Sequence, residues 1–321
     1  MQEKVNVFMP CYNSEKYIGQ AIESILGQKY TDFKLIIIDD GSTDNSVEII
    51  NKYAAEDTRI RLLKNGVNRG IVFTRNRGLE ECQCDYMALM DSDDVAAPER
   101  LEKEVAFLDE HKDVIAVGGL YQLMDESGKL RPEKLKLTES DEEIRARMLF
   151  ANVIANGTVL LRKEKIDQAN IRYREHLHAS EDYLFWCEVL NVGKICNIGE
   201  IFQYYRLHEN SLEYRSERAE KGYKKQGILD IKKYILHQQD YHLEKTEEEL
   251  FVRILTDNEE CENLSKEKRK ILKTVLDKLR EQVAGKNDKY KEIFNEELER
   301  YVIYTRSPFI RKVYYKWSLL K

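Results

Sequence analysis

The chain has 321 residues, of which 42% are hydrophobic and 34% are charged, and its net charge is −6 at pH 7. This length suits one large domain or one domain with an accessory part, and the composition is that of a soluble globular protein. The acidic balance lacks the electrostatic footprint of a nucleic-acid-binding protein, so we expect no nucleic-acid partner. No run approaches the ~18 consecutive apolar residues that a membrane span requires.

The N-terminal residues lead directly into an apolar run, which predicts no signal peptide. Six cysteines lie in apolar or helical contexts. Cys82 and Cys84 are separated by one residue, which is too tight for the Cys-x-x-Cys spacing of a zinc or redox site. We therefore expect reduced thiols and a cytoplasmic location.

Strand and helix patterns alternate through about the first 125 residues. The predicted strands are Val5–Met9, Leu35–Ile38, Ile60–Leu63 and Tyr86–Met90, and the predicted helices are Glu15–Leu26, Asp44–Tyr53, Ile71–Cys82 and Glu99–Glu110. This alternation predicts an α/β fold in which a Rossmann-like, mostly parallel sheet is flanked by helices and joined by right-handed crossovers. The loops after the four strands would then share one edge of the sheet.

The second half of the chain changes character after about residue 212. A helix is predicted over Asp141–Phe150 and strands over Val159–Arg162 and up to Tyr204–Arg206. Beyond residue 212, apolar residues recur at helical spacing, with breaks near Asp257 and Gly285. We predict an α/β domain over residues 1–212 and a helical accessory region of three to five helices over residues 213–321. That region would stabilise the first domain or support homo-oligomer formation.

Asp91-Ser92-Asp93-Asp94 directly follows the apolar run Tyr86–Met90. An open α/β sheet binds its ligand at the carboxyl ends of its strands, and carboxylates gathered there repel one another unless a cation lies between them. Hard oxygen donors suit Mg²⁺ or Mn²⁺, and such a cation suits a diphosphate. The plainer alternative is a loop in which Asp94 caps the helix that begins near Pro98.

Other polar residues follow the first three predicted strands. Tyr12 could stack on a pyrimidine base, and Asp39 or Asp40 could accept a hydrogen bond from its ring N–H. The planar fork of Arg75 could meet a phosphate. Each residue alone has a plainer interpretation, as an edge cover, a turn or a solvated helix position. Their joint arrangement favours a nucleotide site.

Five segments in order resemble the family 2 glycosyltransferases, which have the GT-A fold. They are Met9-Pro10-Cys11-Tyr12-Asn13, Ile37–Asp44, Asn68-Arg69-Gly70 with Arg75-Asn76, Met90–Asp94, and Pro98-Glu99-Arg100-Leu101. The resemblance covers about the first 210 residues and implies inverting transfer from a nucleotide-sugar donor, usually a UDP-sugar, to an acceptor hydroxyl. It implies that Tyr12 and Asp40 hold the base with Asp39 close by, that Asp91 reaches the ribose or the water shell of the metal, and that Asp93 binds Mn²⁺ or Mg²⁺. Pro10, Asn13, Arg75 and Ser92 complete the implied nucleotide-binding set.

Inverting transfer also requires a carboxylate that removes the proton from the attacking hydroxyl. Glu181-Asp182 opens an amphipathic segment, and the resemblance implies that Asp182 is the base and Glu181 its orienting neighbour. Acids at a helix start can also simply complement the helix dipole. The resemblance further implies that His208 is a metal ligand and that Arg206 faces the phosphates, although a lone histidine at a strand edge is more often a surface residue. His176 and His178 line the acceptor pocket or face solvent.

The implied acceptor is a growing cell-surface or capsular glycan or a glycolipid, including a lipid-linked acceptor. Asn152-Val153 departs from the Asn-Pro that related enzymes often carry, which leaves the acceptor and the sugar open. The alternatives are a nucleotidyltransferase, disfavoured because no glycine-rich basic loop lies near the N-terminus, and a non-catalytic nucleotide-sugar-binding protein. The basic, aromatic tail 307–321 suits peripheral contact with the inner face of a membrane, a partner, or the chain's own fold.

Overall fold

The computed structural model describes residues 3–132, 138–175, 177, 180–209, 221–256 and 264–304, with the backbone alone for residues 221–224 and 300–304. The strands are β1 Val5–Cys11, β2 Phe33–Asp39, β3 Ile60–Lys64, β4 Tyr86–Leu89, β5 Val95–Ala96, β6 Val114–Met124, β7 Leu160–Arg162 and β8 Lys194–Arg206. The α-helices are α1 Ile18–Leu26, α2 Ser46–Glu56, α3 Ile71–Glu81, α4 Arg100–Glu110, α5 Asp141–Met148, α6 Lys163–Gln168, α7 Glu181–Leu190, α8 Lys221–Gln238, α9 Lys245–Thr256, α10 Lys266–Gln282 and α11 Asp288–Tyr304.

The eight strands form one sheet in the order β3-β2-β1-β4-β7-β6-β8-β5. β1 pairs in parallel with β2 and β4, and β2 pairs in parallel with β3. The residues of β2 from Leu35 to Ile38 are at most 2% exposed, as expected of a parallel strand covered on both faces. The four parallel strands end at one edge of the sheet, here called the carboxyl edge.

The other half of the sheet is mixed. β7 lies antiparallel between β4 and β6, β8 runs parallel to β6, and β5 is antiparallel to β8. The sequence analysis missed β6 and β5. β5 has two residues, which is too few to show an alternating pattern. The expectation of a mostly parallel sheet is confirmed, with antiparallel pairings added on both sides of β7 and at the β5 edge.

The chain divides into two compact units. The first comprises Met1–Asp141 and Ile154–Glu220 and contains the sheet, whereas the second comprises Glu142–Val153 and Lys221–Lys321. The predicted boundary between residues 212 and 213, and the tail 307–321, lie outside the described residues.

The second unit contains helices α8 to α11 together with most of α5. Inside it, the buried ammonium of Lys232 donates to the carbonyl oxygens of Phe150 and Leu255, both at 2.9 Å. Arg147 pairs with Glu297. Helices α10 and α11 lie on either side of the break predicted near Gly285. Among the described helices, none combines the length and the apolar character needed to cross a bilayer.

Candidate active site at the carboxyl edge

Asp39 and Asp40 stand where β2 ends, and both are buried. Asp39 accepts hydrogen bonds from the backbone N–H groups of Gly41 and Ser42, at 3.1 and 3.2 Å. Asp40 accepts from the N–H groups of Arg69 at 2.9 Å and Gly70 at 2.8 Å, and from the side-chain amide of Asn65 at 2.7 Å. The two carboxylates therefore shape the loops after β2 and β3, and Asp40 is already engaged by three donors.

The loop after β1 is fastened to the loop after β2. Asn13 has a φ of +50°, in the left-handed region. Its N–H donates to Ser42 Oγ at 2.9 Å, and its Oδ1 accepts from the N–H of Thr43 at 2.8 Å. Tyr12, immediately before it, is 39% exposed. The bridge made by Asn13 thus leaves an accessible aromatic ring beside the two buried carboxylates of β2.

Gly41 allows this edge to close. Its φ is +75°, and a Cβ at this position would lie 2.6 Å from the backbone nitrogen of Asn68. A side chain would be both strained and obstructed, so the loops after β2 and β3 can approach one another only because residue 41 is glycine.

Asp91-Ser92-Asp93-Asp94, here called the acidic loop, follows β4 and is held on two sides. The hydroxyl of Ser92 lies 2.8 Å from that of Ser14, and both are buried. Ser92 is therefore used to join the acidic loop to the loop after β1. Helix α1, which follows the loop after β1, begins at Ile18 without a side-chain cap.

Asp94 is 1% exposed and anchors the acidic loop to β8. Its carboxylate accepts from the backbone N–H of Arg206 at 2.8 Å and from the side-chain amide of Gln203. Burial, together with the charges of Asp93 and Asp91, raises its pKa well above the usual range. The suggestion that Asp94 caps the following helix is wrong, because α4 has no side-chain cap.

Arg206 of β8 holds the backbone of the acidic loop. Its Nε donates to the carbonyl oxygen of Asp93 at 2.8 Å, its Nη1 to that of Glu126 at 3.1 Å, and its Nη2 to Gln20 Oε1 at 2.5 Å. The guanidinium carbon lies 4.8 Å from the ring centroid of Tyr17, and Arg206 as a whole residue is 2% exposed. These contacts place Arg206 among protein partners, where the sequence suggested that it faces phosphates.

His208 meets the acidic loop directly, with Nε2 2.8 Å from Asp93 Oδ2. Its Nδ1 is buried and has no hydrogen-bond partner among the described residues. Asp91 lies on the other side of the loop, with Oδ1 3.9 Å from Arg75 Nη2. In the described part of the chain, no three His, Cys, Asp or Glu side chains form a ready metal cluster. Mg²⁺ is usually held by only one or two carboxylates plus waters and substrate phosphates, so the donors of Asp91, Asp93 and His208 still fit such an ion.

Arg75 connects the acidic loop with the first turn of α7. Its Nη1 lies 2.5 Å from Glu181 Oε1, and Arg75 and Glu181 are 8% and 4% exposed. Arg75 was expected to meet a phosphate. In the structure, its nearest charged partner is Glu181, which follows it by 106 residues in the sequence. Glu181 Oε2 is buried and has no partner within the described residues.

Asp182 lies beside this ion pair. Burial and the charge of Glu181 together raise its pKa to about 6, against the opposing charge of Arg75. Asp91, Arg75, Glu181 and Asp182 thus form one group of charges that joins the two halves of the predicted site. The remaining predicted residues His176 and His178 lie outside the described residues.

Two residues that were given no role in the sequence analysis belong to the same neighbourhood. Asn76 follows Arg75 on α3, and its side chain makes two hydrogen bonds with the backbone of Tyr173. Asn76 was already part of the motif that carries the resemblance. Nothing in the sequence pattern pointed to Tyr173.

Comparisons with known proteins identify the family of the chain. Residues 6–168 match the family described as Glycosyl transferase family 2. The O-antigen biosynthesis glycosyltransferase WbnJ of Escherichia coli is 30% identical over 217 residues, which cover 66% of this chain and 82% of WbnJ.

Two solved structures share the fold. TarS 1-349 of S. aureus, solved in complex with UDP-GlcNAc, has a TM-score of 0.62 and 19% identity, and the match covers 93% of this chain and 91% of TarS 1-349. The mannosyltransferase PcManGT of Pyrobaculum calidifontis, solved with GDP-Man and Mn²⁺, has a TM-score of 0.56 and 14% identity, with coverage of 94% and 85%. The predicted GT-A fold with a C-terminal helical region is confirmed.

Proposed function

Since the chain belongs to glycosyl transferase family 2, we propose that this glycosyltransferase is an inverting enzyme that uses a UDP-sugar as its donor. The acceptor is a hydroxyl of a growing cell-surface or capsular glycan or glycolipid. The observation that carries the proposal is the group of charges in which Arg75 joins Asp91 of the acidic loop to Glu181, next to Asp182. WbnJ, which is named for O-antigen biosynthesis, supports the class of acceptor, and TarS with UDP-GlcNAc supports the class of donor.

The donor nucleotide is assigned to the loops after β1 and β2. The exposed ring of Tyr12 stacks on the base. Pro10 at the end of β1 and Asn13 in the loop that follows lie on either side of Tyr12 in the chain, and the bond from Asn13 to Ser42 holds the loop in place. Asp39 accepts from the base N–H, whereas Asp40 keeps the neighbouring loop closed through its three donors.

The diphosphate is assigned to the acidic loop. Asp91, Asp93 and His208 would hold Mn²⁺ or Mg²⁺, with Ser92 fixing the loop between them. Such a cation, when bound, neutralises the negative charge that builds up on the departing diphosphate. PcManGT, solved with Mn²⁺, supports this assignment.

Asp182 is assigned as the general base. It removes the proton of the acceptor hydroxyl while the hydroxyl oxygen bonds to the anomeric carbon and the bond from that carbon to the diphosphate breaks. Attack from the face opposite the leaving group inverts the anomeric configuration. A pKa of about 6 suits this role, because a base works best when its pKa lies near the operating pH. Glu181 positions this base and is itself held by the guanidinium of Arg75.

The donor assignment is tested by thermal shift with UDP and UDP-sugars, with and without Mn²⁺, on the wild type and on Asp93→Ala. We expect metal-dependent stabilisation by UDP or a UDP-sugar in the wild type and its loss in the variant. Wild-type protein that gains no stability with any nucleotide and metal would contradict the proposal.

The base assignment is tested with Asp182→Asn. Turnover should fall by roughly two to four orders of magnitude, while donor binding stays unchanged. Full turnover in this variant would refute the assignment. A protein that binds donor but never transfers sugar, in wild type and variant alike, would instead be a non-catalytic nucleotide-sugar-binding protein.

We propose that the enzyme acts in the cytoplasm. The five described cysteines are all free thiols, which suits the cytoplasm. Residues 307–321 make peripheral contact with the inner face of the membrane. The helical region supports self-association. Sedimentation with anionic vesicles, comparing the full chain with one ending at residue 306, would test the membrane contact.

A further inference from the structure

Tyr173 lies between α6 and α7, and its backbone is held by a single side chain. The N–H of Tyr173 donates to Asn76 Oδ1 at 2.9 Å, and Asn76 Nδ2 donates back to the carbonyl oxygen of Tyr173 at 2.9 Å. Asn76 is the neighbour of Arg75 on α3. This two-way bond fixes the position of Tyr173 relative to the group of charges around Arg75.

The ring of Tyr173 is fixed as well. It stacks on Phe185 of α7, with centroids 4.2 Å apart and planes 3° from parallel. The guanidinium carbon of Arg75 lies 5.5 Å from the ring centroid. The residue is 3% exposed. Because both the backbone and the ring are held, the hydroxyl group has a defined direction.

That hydroxyl is buried and has no hydrogen-bond partner anywhere in the described ranges. Burial raises its pKa; the charge of Arg75 opposes this, and the charges of Asp182, Glu181 and Asp91 raise it further. The group therefore stays protonated and can donate. A buried hydroxyl without a partner destabilises the folded protein, so its presence here requires a reason.

We propose that the Tyr173 hydroxyl donates a hydrogen bond to an oxygen of the donor's sugar ring, and so helps to determine which sugar is transferred. This inference rests on the proposed function. During transfer, the sugar must lie between the diphosphate at the acidic loop and the base Asp182. Arg75, whose guanidinium carbon lies 5.5 Å from the Tyr173 ring centroid, contacts Asp91 at 3.9 Å and Glu181 at 2.5 Å, so Tyr173 lies next to the residue that spans that interval.

Tyr86, the first residue of β4, provides a matched comparison. It is also 3% exposed, but its hydroxyl donates to Asp109 at 2.8 Å and accepts from Arg162 at 3.1 Å. The Tyr86 hydroxyl is thus satisfied by the fold alone. Removing each hydroxyl by a phenylalanine substitution separates a ligand contact from a structural one.

The experiment compares wild type, Tyr173→Phe and Tyr86→Phe by isothermal titration calorimetry with Mn²⁺ present. The probes are UDP, GDP and their glucose, galactose, mannose and N-acetylglucosamine conjugates. The conjugate that the wild type binds most tightly is paired with its own nucleoside diphosphate. For Tyr173→Phe we expect the Kd of the conjugate to rise about tenfold, equivalent to about 1.4 kcal/mol, and that of the diphosphate to change less than about twofold. The melting temperature should stay the same or rise, because an unpaired buried hydroxyl has been removed.

Tyr86→Phe should show the opposite pattern, with a lower melting temperature and an unchanged ratio of the two Kd values. The inference is overturned if Tyr173→Phe leaves that ratio at the wild-type value, whether or not the melting temperature falls, or if both ligands weaken equally. If the wild type binds the diphosphate but no sugar conjugate, the sugar contact fails while a nucleotide site stands. If it binds none of the probes, the proposed function fails first and the inference with it.

Discussion

Replacing Arg75 with methionine tests the group of charges that joins the two halves of the site. The substitution keeps an extended side chain but removes the cation that lies 2.5 Å from Glu181. Glu181 is 4% exposed and would be left without its cation beside Asp182. Removing one partner of a buried ion pair costs about 3–5 kcal/mol. For a unit of this size, each kcal/mol lowers the melting temperature by about 2–4 °C, so we expect a loss of roughly 6–20 °C.

The loss should depend on pH in a defined direction. Burial and the charge of Glu181 already raise the pKa of Asp182 to about 6 in the folded state, and removing the opposing charge of Arg75 raises it further above the unfolded value. The folded variant then binds more protons than its unfolded form, so its stability falls as pH increases through that interval. The deficit relative to wild type should therefore be larger at pH 8 than at pH 5.

Urea denaturation of a double-mutant cycle measures the effect. Glu181→Gln removes the buried carboxylate charge that Arg75→Met leaves unpaired, so Arg75→Met/Glu181→Gln should be more stable than Arg75→Met alone. Lys52→Met is the control, because the Lys52–Glu48 pair is mostly exposed and such surface pairs are worth about 0–1 kcal/mol. A deficit below about 1 kcal/mol for Arg75→Met, or no recovery in the double variant, would refute the reasoning.

Three further predictions follow from single groups. The pKa of about 6 at Asp182 predicts that kcat/KM is constant at high pH and falls about tenfold per unit below about pH 6; a flat profile there would exclude Asp182 as the base. Gly78→Ala would place a Cβ 2.5 Å from the ring of Phe8, so we expect the free energy of unfolding measured in urea to fall by about 1–3 kcal/mol. Gly285→Ala is the control and should leave it unchanged, because nothing lies within 4 Å of a Cβ there. Burial lowers the pKa of Lys232 to about 7, so above that pH the folded chain binds fewer protons than the unfolded chain. The free energy of unfolding should therefore rise towards pH ~10 by up to ~1.4 kcal/mol per pH unit. Lys232→Met should remove that slope in urea denaturation.

The sequence was informative where structure is set by neighbours along the chain. The alternation of apolar runs with helical spacing predicted β1 to β4 and α1 to α4, and parallel strands necessarily end at one edge. The positions of Asp39, Asp40 and Asp91 at that edge followed from this alone. Their placement at a common edge needed no knowledge of side-chain geometry.

The pairings across the sheet could not be read in this way. Arg75 and Glu181 are 106 residues apart, and nothing local in either segment signals the other. Arg75 on a helix looks the same whether it meets a phosphate or a buried carboxylate. Asp94 likewise resembles a helix cap until β8 supplies its donors, Gln203 and Arg206. Partners of this kind are decided by tertiary packing, which periodicity does not encode.

The attachment of the acidic loop to β8 has a consequence for synthesis of the protein. Asp94 depends on donors that follow it by 109 and 112 residues, and Asp93 meets a histidine 115 residues later. A ribosome extends a chain by about 5–20 residues per second, so the loop leaves the exit tunnel seconds before its partners exist. A nascent chain that ends before residue 203 can form the parallel half of the sheet, but it holds a carboxylate that has neither of its donors. The acidic loop is therefore synthesised early, whereas its contacts can form only after β8 has been made.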